Sequence, residues 1–356
     1  MRPGLTAALM LAAAGVYAQE GVTTSEGDAP EEAESTMAQP IGPDLLYTRE
    51  ITDRELAQKV RQQLESLGSI SIGFADRGRV INAVQVPQDP AWIVERPNYA
   101  YGTRETVDAL ALVFRAVRRQ FPESAPGRIS HLGTREGGYL PPHRSHQSGR
   151  DADIGFYYRG DRFPARGAPR ERLMDPARNW AMVRTLITDT DVQLILVDRG
   201  IQRVLRNYAL SIGENPRWLS QVFGGVVKHA RSHRDHFHIR FFAPRSQELG
   251  RRIQPLLVLR PDQNRTVHIV RAGNTLGQIA ARYNTSVAAV RKANRLQGRS
   301  LLQLGQNLVI PLRGSCRACP LPPALAVPPR LMPPEPLPNG AGSWLGGINP
   351  EMATAE

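Results

Sequence analysis

Histidine and aspartate are concentrated in two short segments of this 356-residue sequence. Seven of the eight histidines lie between residues 131 and 238, and the two densest segments read HRSHQSGRDAD at 143–153 and HRDHFH at 233–238. Neutral imidazole and carboxylate are among the ligands that zinc prefers in proteins. The sequence therefore predicts a fold in which two distant segments meet around a metal ion.

The spacing within both segments is that of β-strands. Alternate residues of a strand share a face, so His236 and His238 lie on one side of their strand. Asp151 and Asp153 share a side in the same way. If the two strands lie side by side, an aspartate and two imidazoles meet, and the loop before Asp151 supplies His146. Three protein ligands leave a fourth position for water, which is the arrangement of a catalytic zinc site.

Other catalytic motifs are absent from the sequence. No H-E-x-x-H segment offers a glutamate base, and no G-x-S-x-G segment offers a serine nucleophile. The two cysteines, Cys316 and Cys319, lie near the end of the chain, where their spacing predicts a local disulfide in an oxidising compartment. The general base is then a histidine that does not bind the metal, or a nearby carboxylate.

The first twenty residues have the pattern of a secretory signal peptide. Arg2 precedes an apolar run at 5–16, and small residues follow it. The run is too short to span a membrane, so we expect no integral membrane segment after its removal. The net charge is +12, and nearly all of the basic residues are arginines. This charge predicts attraction to an anionic polymer but does not choose among cell wall, lipid headgroups and nucleic acid.

Composition and periodicity divide the chain into five parts. These are a signal peptide at 1–18, a disordered acidic leader at 19–46, the histidine-containing domain at 47–255, a second unit at 265–312, and a Pro-rich tail at 313–356. We expect the tail to be extended and largely unpacked. The helices and strands predicted for the large domain indicate an α+β fold. Helices are predicted at 53–67, 103–121 and 179–188, strands at 69–74, 79–85, 128–132, 152–158, 192–197 and 237–242, and a surface loop at 159–172.

The histidine segments resemble the penicillin-insensitive murein endopeptidases, which belong to the zinc peptidases that include lysostaphin-type enzymes and D-Ala-D-Ala carboxypeptidases. The shared pattern is H-x-S-H-Q-x-G-x-D-x-D-I at 143–154 with H-x-x-H-x-H at 233–238. The resemblance extends from about 69 to 242, apart from an Arg-rich insertion at 156–172. It implies an antiparallel-sheet zinc peptidase core with flanking helices, acting on the D-alanyl–meso-diaminopimelyl cross-links of murein.

The resemblance also implies which residues bind the metal and which act on the substrate. His146, Asp153 and His238 match the zinc ligands of the family. His236 matches the residue expected to act on the metal-bound water or to stabilise the oxyanion.

The remaining polar residues of the two segments have less defined roles. His143 and His233 match further active-site histidines, as catalytic residues, alternative ligands or substrate contacts. Asp151 is either a partner of a ligand histidine or a solvated charge at the end of a strand. We assign His131 and His229 to structure or surface.

Residues 267–311 resemble a LysM domain. Their pattern is a strand, a turn at Gly273, a helix with Asn274 as its N-cap, a second helix capped by Ser286, and a final strand. The resemblance implies binding of N-acetylglucosamine-containing glycans through two loops, although the residues alone also fit a small packing domain. The implied glycan contacts are Gly273, Asn274, Thr275, Leu276, Gln303, Leu304 and Gly305.

Three functions fit these features. The first is a zinc murein endopeptidase that its LysM domain concentrates at an insoluble substrate. The second is a D,D- or L,D-carboxypeptidase acting on murein stem peptides with the same metal ligands. The third is a non-catalytic peptidoglycan-binding protein that keeps the metal for structure. We predict Zn²⁺ as cofactor, peptidoglycan glycan strands and stem peptides as partners, no nucleic acid partner, and a periplasmic or secreted location.

Overall fold

The computed structural model describes residues 45–165, 167–297, 301–316, 319 and 321–335. The predicted signal peptide, nearly all of the acidic leader and the end of the Pro-rich tail lie outside these residues. Within the described part of the chain, no helix is both long and apolar enough to cross a membrane. The fold mixes helices and sheets, as the α+β prediction requires.

The described residues form twelve strands and nine α-helices. The strands are β1 (Ile70–Gly73), β2 (Gly78–Ile81), β3 (Val84–Gln85), β4 (Trp92–Val94), β5 (Tyr101–Gly102), β6 (Gly127–His131), β7 (Asp151–Gly155), β8 (Val192–Val197), β9 (Val227–His229), β10 (His236–Phe241), β11 (Arg265–Ile269) and β12 (Asn307–Pro311). The α-helices are α1 (Asp53–Gln62), α2 (Arg104–Gln120), α3 (Arg170–Leu173), α4 (Pro176–Asp189), α5 (Arg199–Ser211), α6 (Pro216–Gln221), α7 (Pro244–Ile253), α8 (Leu276–Arg282) and α9 (Val287–Ala293). Short helical turns lie at Leu64–Leu67, Pro97–Tyr99, Arg159–Asp161, Val222–Val226 and Gln254–Leu259.

A six-stranded sheet in the order β4-β6-β7-β10-β8-β9 is the centre of the large domain. Its four inner strands are antiparallel, and the two outer pairs are parallel. The two histidine-containing strands are neighbours, with His238 opposite Asp153 and Arg240 opposite Asp151. Phe237 is fully buried on the other face of β10. The adjacency inferred from alternation is therefore confirmed.

Helix α2 covers one side of this sheet. Thr103 caps the helix by accepting a hydrogen bond from the Thr106 N–H. Val107, Leu110 and Phe114 recur every three or four residues and are almost fully buried. Each such side chain contributes about 1.5–3 kcal/mol of burial free energy, so the helix is fixed to the sheet that carries the metal ligands.

A smaller layer packs beside the sheet. The hairpin of β1 and β2 is antiparallel, as predicted, contacts α7 and shares a small hydrophobic core with α1. A Cβ atom at Gly250 of α7 would lie 1.8 Å from the Ser71 carbonyl oxygen, so only glycine permits this contact. The helix predicted at 53–67 ends at Gln62 and continues as a short turn. Helices α5, α6 and α7 were not predicted.

The predicted surface loop at 159–172 is mostly exposed, but it is tied down at its end. Arg170, the first residue of α3, is buried. Its guanidinium donates to Tyr158 Oη and lies 5.1 Å from the centre of the Phe163 ring. The Arg-rich insertion therefore has a defined anchor on the domain.

The second unit has the predicted βααβ order. Val270, Ile279, Val290 and Leu308 form its small core. The predicted helix cap at Asn274 is wrong. Thr275 is the cap, because its hydroxyl accepts from the Gln278 N–H and its own N–H donates to Gln278 Oε1.

Asn274 fastens the preceding turn instead. Its Oδ1 accepts hydrogen bonds from the Arg271 N–H and from His268 Nε2, at 3.0 and 2.8 Å. Ser286 caps the second helix, as predicted. The predicted local disulfide, Cys316–Cys319, packs against the same small core.

The prediction of a largely unpacked tail is wrong for residues 321–335, which we call the strap. The strap is extended and lies against the large domain. Leu331 packs on the main core, and its carbonyl oxygen accepts a hydrogen bond from Trp218 Nε1 at 3.0 Å. Arg330 pairs with Asp191. Composition indicated the extended backbone, but it carries no information about where the apolar side chains of such a segment dock.

Candidate metal centre

Three buried donor atoms form a nearly equilateral triangle on the central sheet. His146 Nε2 lies 3.1 Å from both Asp153 Oδ1 and His238 Nδ1, and the last two atoms are 3.0 Å apart. Zinc bonds of about 2.0–2.1 Å at tetrahedral angles place donor atoms about 3.3 Å apart. The three residues are at most 4% exposed. Both the donor set and its dimensions fit a zinc ion.

The second ring nitrogen of each ligand histidine fixes its tautomer. His146 Nδ1 donates to the Leu132 carbonyl oxygen at 2.9 Å, and His238 Nε2 donates to Asp151 Oδ1 at 3.2 Å. In their neutral forms, both imidazoles therefore direct a lone pair at the Asp153 oxygen. Three converging lone pairs repel one another unless a positive charge lies between them. A metal ion or a proton must occupy the centre of the triangle.

The metal-free protein places a proton there. Burial lowers the pKa of His238, but its hydrogen bonds to Asp151 and Asp153 and their charges outweigh burial and raise the pKa to about 9. A metal ion takes up the same lone pair, so metal and proton compete for His238.

The loop before β7 holds His146 in a strained conformation. Its φ of 66° is in the left-handed region, which costs a non-glycine residue about 1–3 kcal/mol. The His146 backbone N–H donates to Asp151 Oδ2 at 3.0 Å, and Gly149 turns the chain with a φ of 75°. The loop therefore places the His146 imidazole against the sheet at a cost in local stability.

Asp151 supports two of the three ligand residues. It is fully buried, unlike a solvated charge at a strand end. One carboxylate oxygen accepts from His238 Nε2 and from Arg240 Nε, at 3.2 and 2.7 Å, and the other holds the His146 backbone. Burial opposes the charged carboxylate, but the Arg240 charge, the His238 hydrogen bond and the charges of His238 and His146 together outweigh it and hold the pKa of Asp151 well below 3.8. The residue is a partner of ligand histidines.

His236 lies beside the triangle with its own orienting carboxylate. Its Nε2 is 3.8 Å from Asp153 Oδ1, and its Nδ1 donates to Asp235 Oδ1 at 2.8 Å. In the neutral form, the lone pair is therefore on Nε2, facing the metal centre. Asp235 was missed by the sequence analysis. Strand alternation assigns it to the opposite side from His236, yet it precedes β10 and its carboxylate turns back to the ring.

His233 and His143 complete the wall of the site as neutral imidazoles. Burial lowers the pKa of His233 to about 3 and that of His143 to about 4. Among the described residues, the buried His233 Nδ1 has no hydrogen-bond partner. His143 Nδ1 lies 3.4 Å from Asp153 Oδ2, the carboxylate oxygen outside the triangle.

His131 also belongs to this wall, contrary to its assignment to structure or surface. It is opposite Asp153 in the β6–β7 register, and its Nδ1 lies 4.0 Å from Asp153 Oδ2. His131, His143 and Asp153 thus make a second group of possible ligands. However, His131 Nε2 must accept a hydrogen bond from Arg96, so the neutral ring carries its proton on Nδ1 and has no lone pair for a metal there. His229 lies on the edge strand β9, opposite Val197.

The two loops predicted to bind glycan lie in the second unit. Val270 joins them, because its N–H donates to the Gln306 carbonyl oxygen and its own carbonyl accepts from the Gly305 N–H. Gly273 and Gly305 both have a φ of 78° with open space around the Cα hydrogens. Leu304 is 73% exposed. The loops bring Gly273, Asn274, Thr275 and Leu276 near Gln303, Leu304 and Gly305.

Internal contacts distinguish the members of this group. Thr275 and Asn274 serve as cap and turn residues, and Leu276 packs against the small core. Gly273, Gln303, Leu304 and Gly305 are exposed.

Two parts of the chain match known families. Residues 71–257, which include every residue of the metal centre, match the sequence profile described as penicillin-insensitive murein endopeptidase. Residues 268–311 match the profile of the LysM domain. No curated protein matches the chain.

Proposed function

The chain belongs to the penicillin-insensitive murein endopeptidase family, and from this premise we propose that it uses Zn²⁺ to cleave D-alanyl–meso-diaminopimelyl bonds. The protein is a metallopeptidase that hydrolyses peptide cross-links in peptidoglycan, and its LysM domain anchors it to the glycan. The triangle of converging lone pairs on His146, Asp153 and His238 is the observation that carries the choice of a divalent cation.

These three side chains would hold the zinc ion, with Asp151 fixing two of them. A bound zinc ion supplies a water of lowered pKa and polarises the scissile carbonyl. The strand positions of Asp153 and His238 keep the donor atoms in place before substrate arrives, so little reorganisation accompanies the reaction.

His236 is the proposed general acid and base. Asp235 holds the Nδ1 proton, which leaves Nε2 free to accept the proton of the attacking water. The same Nε2 then returns this proton to the amine nitrogen that leaves as the amide bond breaks. His233 remains neutral, and its ring N–H donates a hydrogen bond to the oxyanion of the tetrahedral intermediate.

The LysM loops would contact glycan through exposed groups. Leu304 offers an apolar surface for a sugar ring, and Gly273 and Gly305 leave the backbone accessible. Asn274, Thr275 and Leu276 act mainly by shaping the loop. The site is separate from the metal centre, so binding to glycan does not occupy the cleft.

The enzyme acts outside the cytoplasm, where its cell-wall substrate lies. We propose a periplasmic or secreted location after removal of residues 1–18, with no nucleic acid partner.

Digestion of purified cross-linked muropeptide dimers tests the proposed reaction. Metal-free protein should be inactive, and stoichiometric Zn²⁺ should restore conversion of dimers to monomers. Loss of only a terminal D-alanine would instead show a carboxypeptidase. A lack of any product with Zn²⁺ present would contradict catalysis.

A further inference from the structure

Arg96 is an exposed arginine at the edge of the metal centre. Its Nη1 lies 2.9 Å from His131 Nε2. In the part of the chain that the structure describes, no Asp or Glu forms an ion pair with it. The neighbouring carboxylate, Glu95, is already held by Arg128 and by Ser130. Among the described residues, the side chain of Arg96 therefore contacts an imidazole and not a carboxylate.

This contact leaves most of the guanidinium free. An arginine has five N–H donors in a planar fork that matches a carboxylate, and the imidazole uses one of them. The residue as a whole is exposed. The backbone that carries the guanidinium is fixed, because the Arg96 carbonyl accepts from the Tyr99 N–H and the Tyr99 carbonyl accepts from the N–H groups of Leu132 and Gly133. The Arg96 backbone is thus connected by hydrogen bonds to the end of β6.

The guanidinium is also close to the reacting atoms. The His131 ring connects it to Asp153, because Nε2 of this ring contacts Arg96 and Nδ1 lies 4.0 Å from Asp153 Oδ2. In a D-alanyl–meso-diaminopimelyl cross-link, the carbon that carries the scissile nitrogen also carries a free carboxylate. A substrate with its amide at the metal centre therefore has a negative charge within a few bonds of the cut.

We propose that Arg96 binds the free carboxylate of the diaminopimelyl residue on the amine side of the scissile bond, and that His131 positions Arg96 for this contact. The inference rests on the proposed function and names the substrate group that the site recognises. Charge-assisted bidentate contacts of this kind are strong and geometrically specific, so they align the scissile bond as well as adding affinity.

Two cross-linked dimers that differ only in this group provide the test. One carries the free carboxylate and the other carries its carboxamide. Wild-type enzyme should cleave the free form with a kcat/KM about 10- to 100-fold higher than the amidated form. Arg96→Gln should lose most of this preference, mainly through a higher KM for the free form, and should change the amidated form by less than about threefold. Arg96→Lys should retain part of it, because a point charge remains.

Arg104→Gln is the matched control, since it removes an exposed arginine charge that Asp108 already neutralises. It should leave the preference unchanged. Equal losses on both dimers in Arg96→Gln, or no preference in the wild type, would overturn the proposal. Equilibrium binding of the two dimers to zinc-loaded His236→Ala protein measures recognition without turnover. The free form should bind more tightly there, and equal binding would overturn the inference even if cleavage itself proved absent.

Discussion

Asp153 and His238 face each other in register across β7 and β10, with 3.0 Å between Oδ1 and Nδ1. Two residues along the same pair of strands, Arg240 faces Asp151 and donates to its carboxylate. The ligand pair and its supporting pair are therefore built into the same two-stranded ladder. Because a one-residue slip of either strand would turn its two side chains to the other face, the strand register itself determines the metal site.

Asp151→Asn should weaken zinc binding without removing a ligand. The amide keeps the size of the carboxylate but loses the charge that orients His238 and compensates Arg240. We expect zinc affinity to fall about 10- to 100-fold, as for other partners of metal-bound histidines. Competition with a chromophoric chelator measures this loss. Asp89→Asn, at a partly buried aspartate paired with Arg115, is the control and should bind zinc as the wild type does. Unchanged affinity in Asp151→Asn would contradict its supporting role.

Zinc binding at pH 7 should release about one proton from His238. The pKa of this residue is about 9 in the metal-free protein, so the ring is protonated at pH 7 and must lose that proton to bind metal. Affinity should rise about tenfold per pH unit until pH 9. Calorimetric titration in two buffers of different ionisation enthalpy counts the protons released. Identical heats in the two buffers would contradict the competition.

The same groups set the pH dependence of the metal-free fold. Because folding raises the His238 pKa above its ordinary 6.5, its stabilising contribution is complete below pH 6.5 and is lost as pH rises through 9. Asp151 and Asp153 have lowered pKa values, so their contribution is present above pH 3.8 and is lost in more acidic solution. The lowered pKa values of His233 and His143 cost stability as pH falls below 6.5, because these rings take up protons more readily in the unfolded chain. Urea unfolding of metal-free protein should therefore show the highest stability near pH 6.5 and a decline both towards pH 9 and in acid.

Strand alternation predicted which side chains of β7 and β10 meet at the inner part of the metal centre, while the choice of His146, Asp153 and His238 as ligands rested on the family resemblance. His236, His238, Asp151 and Asp153 lie on strands, where a period of two determines which side chains share a face. The outer part depends on turns. Asp235 bends back to its neighbour, a geometry that no periodic pattern encodes.

Arg96 and His131 meet only because the turn at Pro97–Tyr99 is tied to the end of β6. Contacts between segments far apart in sequence, such as Arg96 with His131, have no local signal. The strap at 321–335 was missed for the same reason, since its docking depends on a surface that distant residues form.

Asp235→Asn should lower kcat while zinc content stays at the wild-type level. The amide no longer stabilises the protonated His236 ring, which forms when the ring accepts a proton during the reaction. We expect about a tenfold lower kcat, compared with about 10²- to 10⁴-fold for His236→Ala, which removes the acid and base itself. Steady-state cleavage of muropeptide dimers by zinc-loaded variants measures both. A wild-type kcat in Asp235→Asn would show that His236 does not depend on this carboxylate.

Removing the strap should destabilise the large domain. The strap follows the LysM domain in the sequence, but it packs on the large domain. A protein that ends at residue 320 loses the packing of Leu331 on the main core, the hydrogen bond to Trp218 and the Arg330–Asp191 pair. Together, these contacts contribute about 2–4 kcal/mol. Urea unfolding measures the loss, and the emission of the otherwise buried Trp218 should shift to longer wavelength. Leu331→Ala should lower the free energy of unfolding by about 1 kcal/mol, because the side chain is only partly buried. Binding to isolated peptidoglycan should be unchanged in both proteins, and an unfolding curve equal to that of the wild type would contradict a stabilising role for the strap.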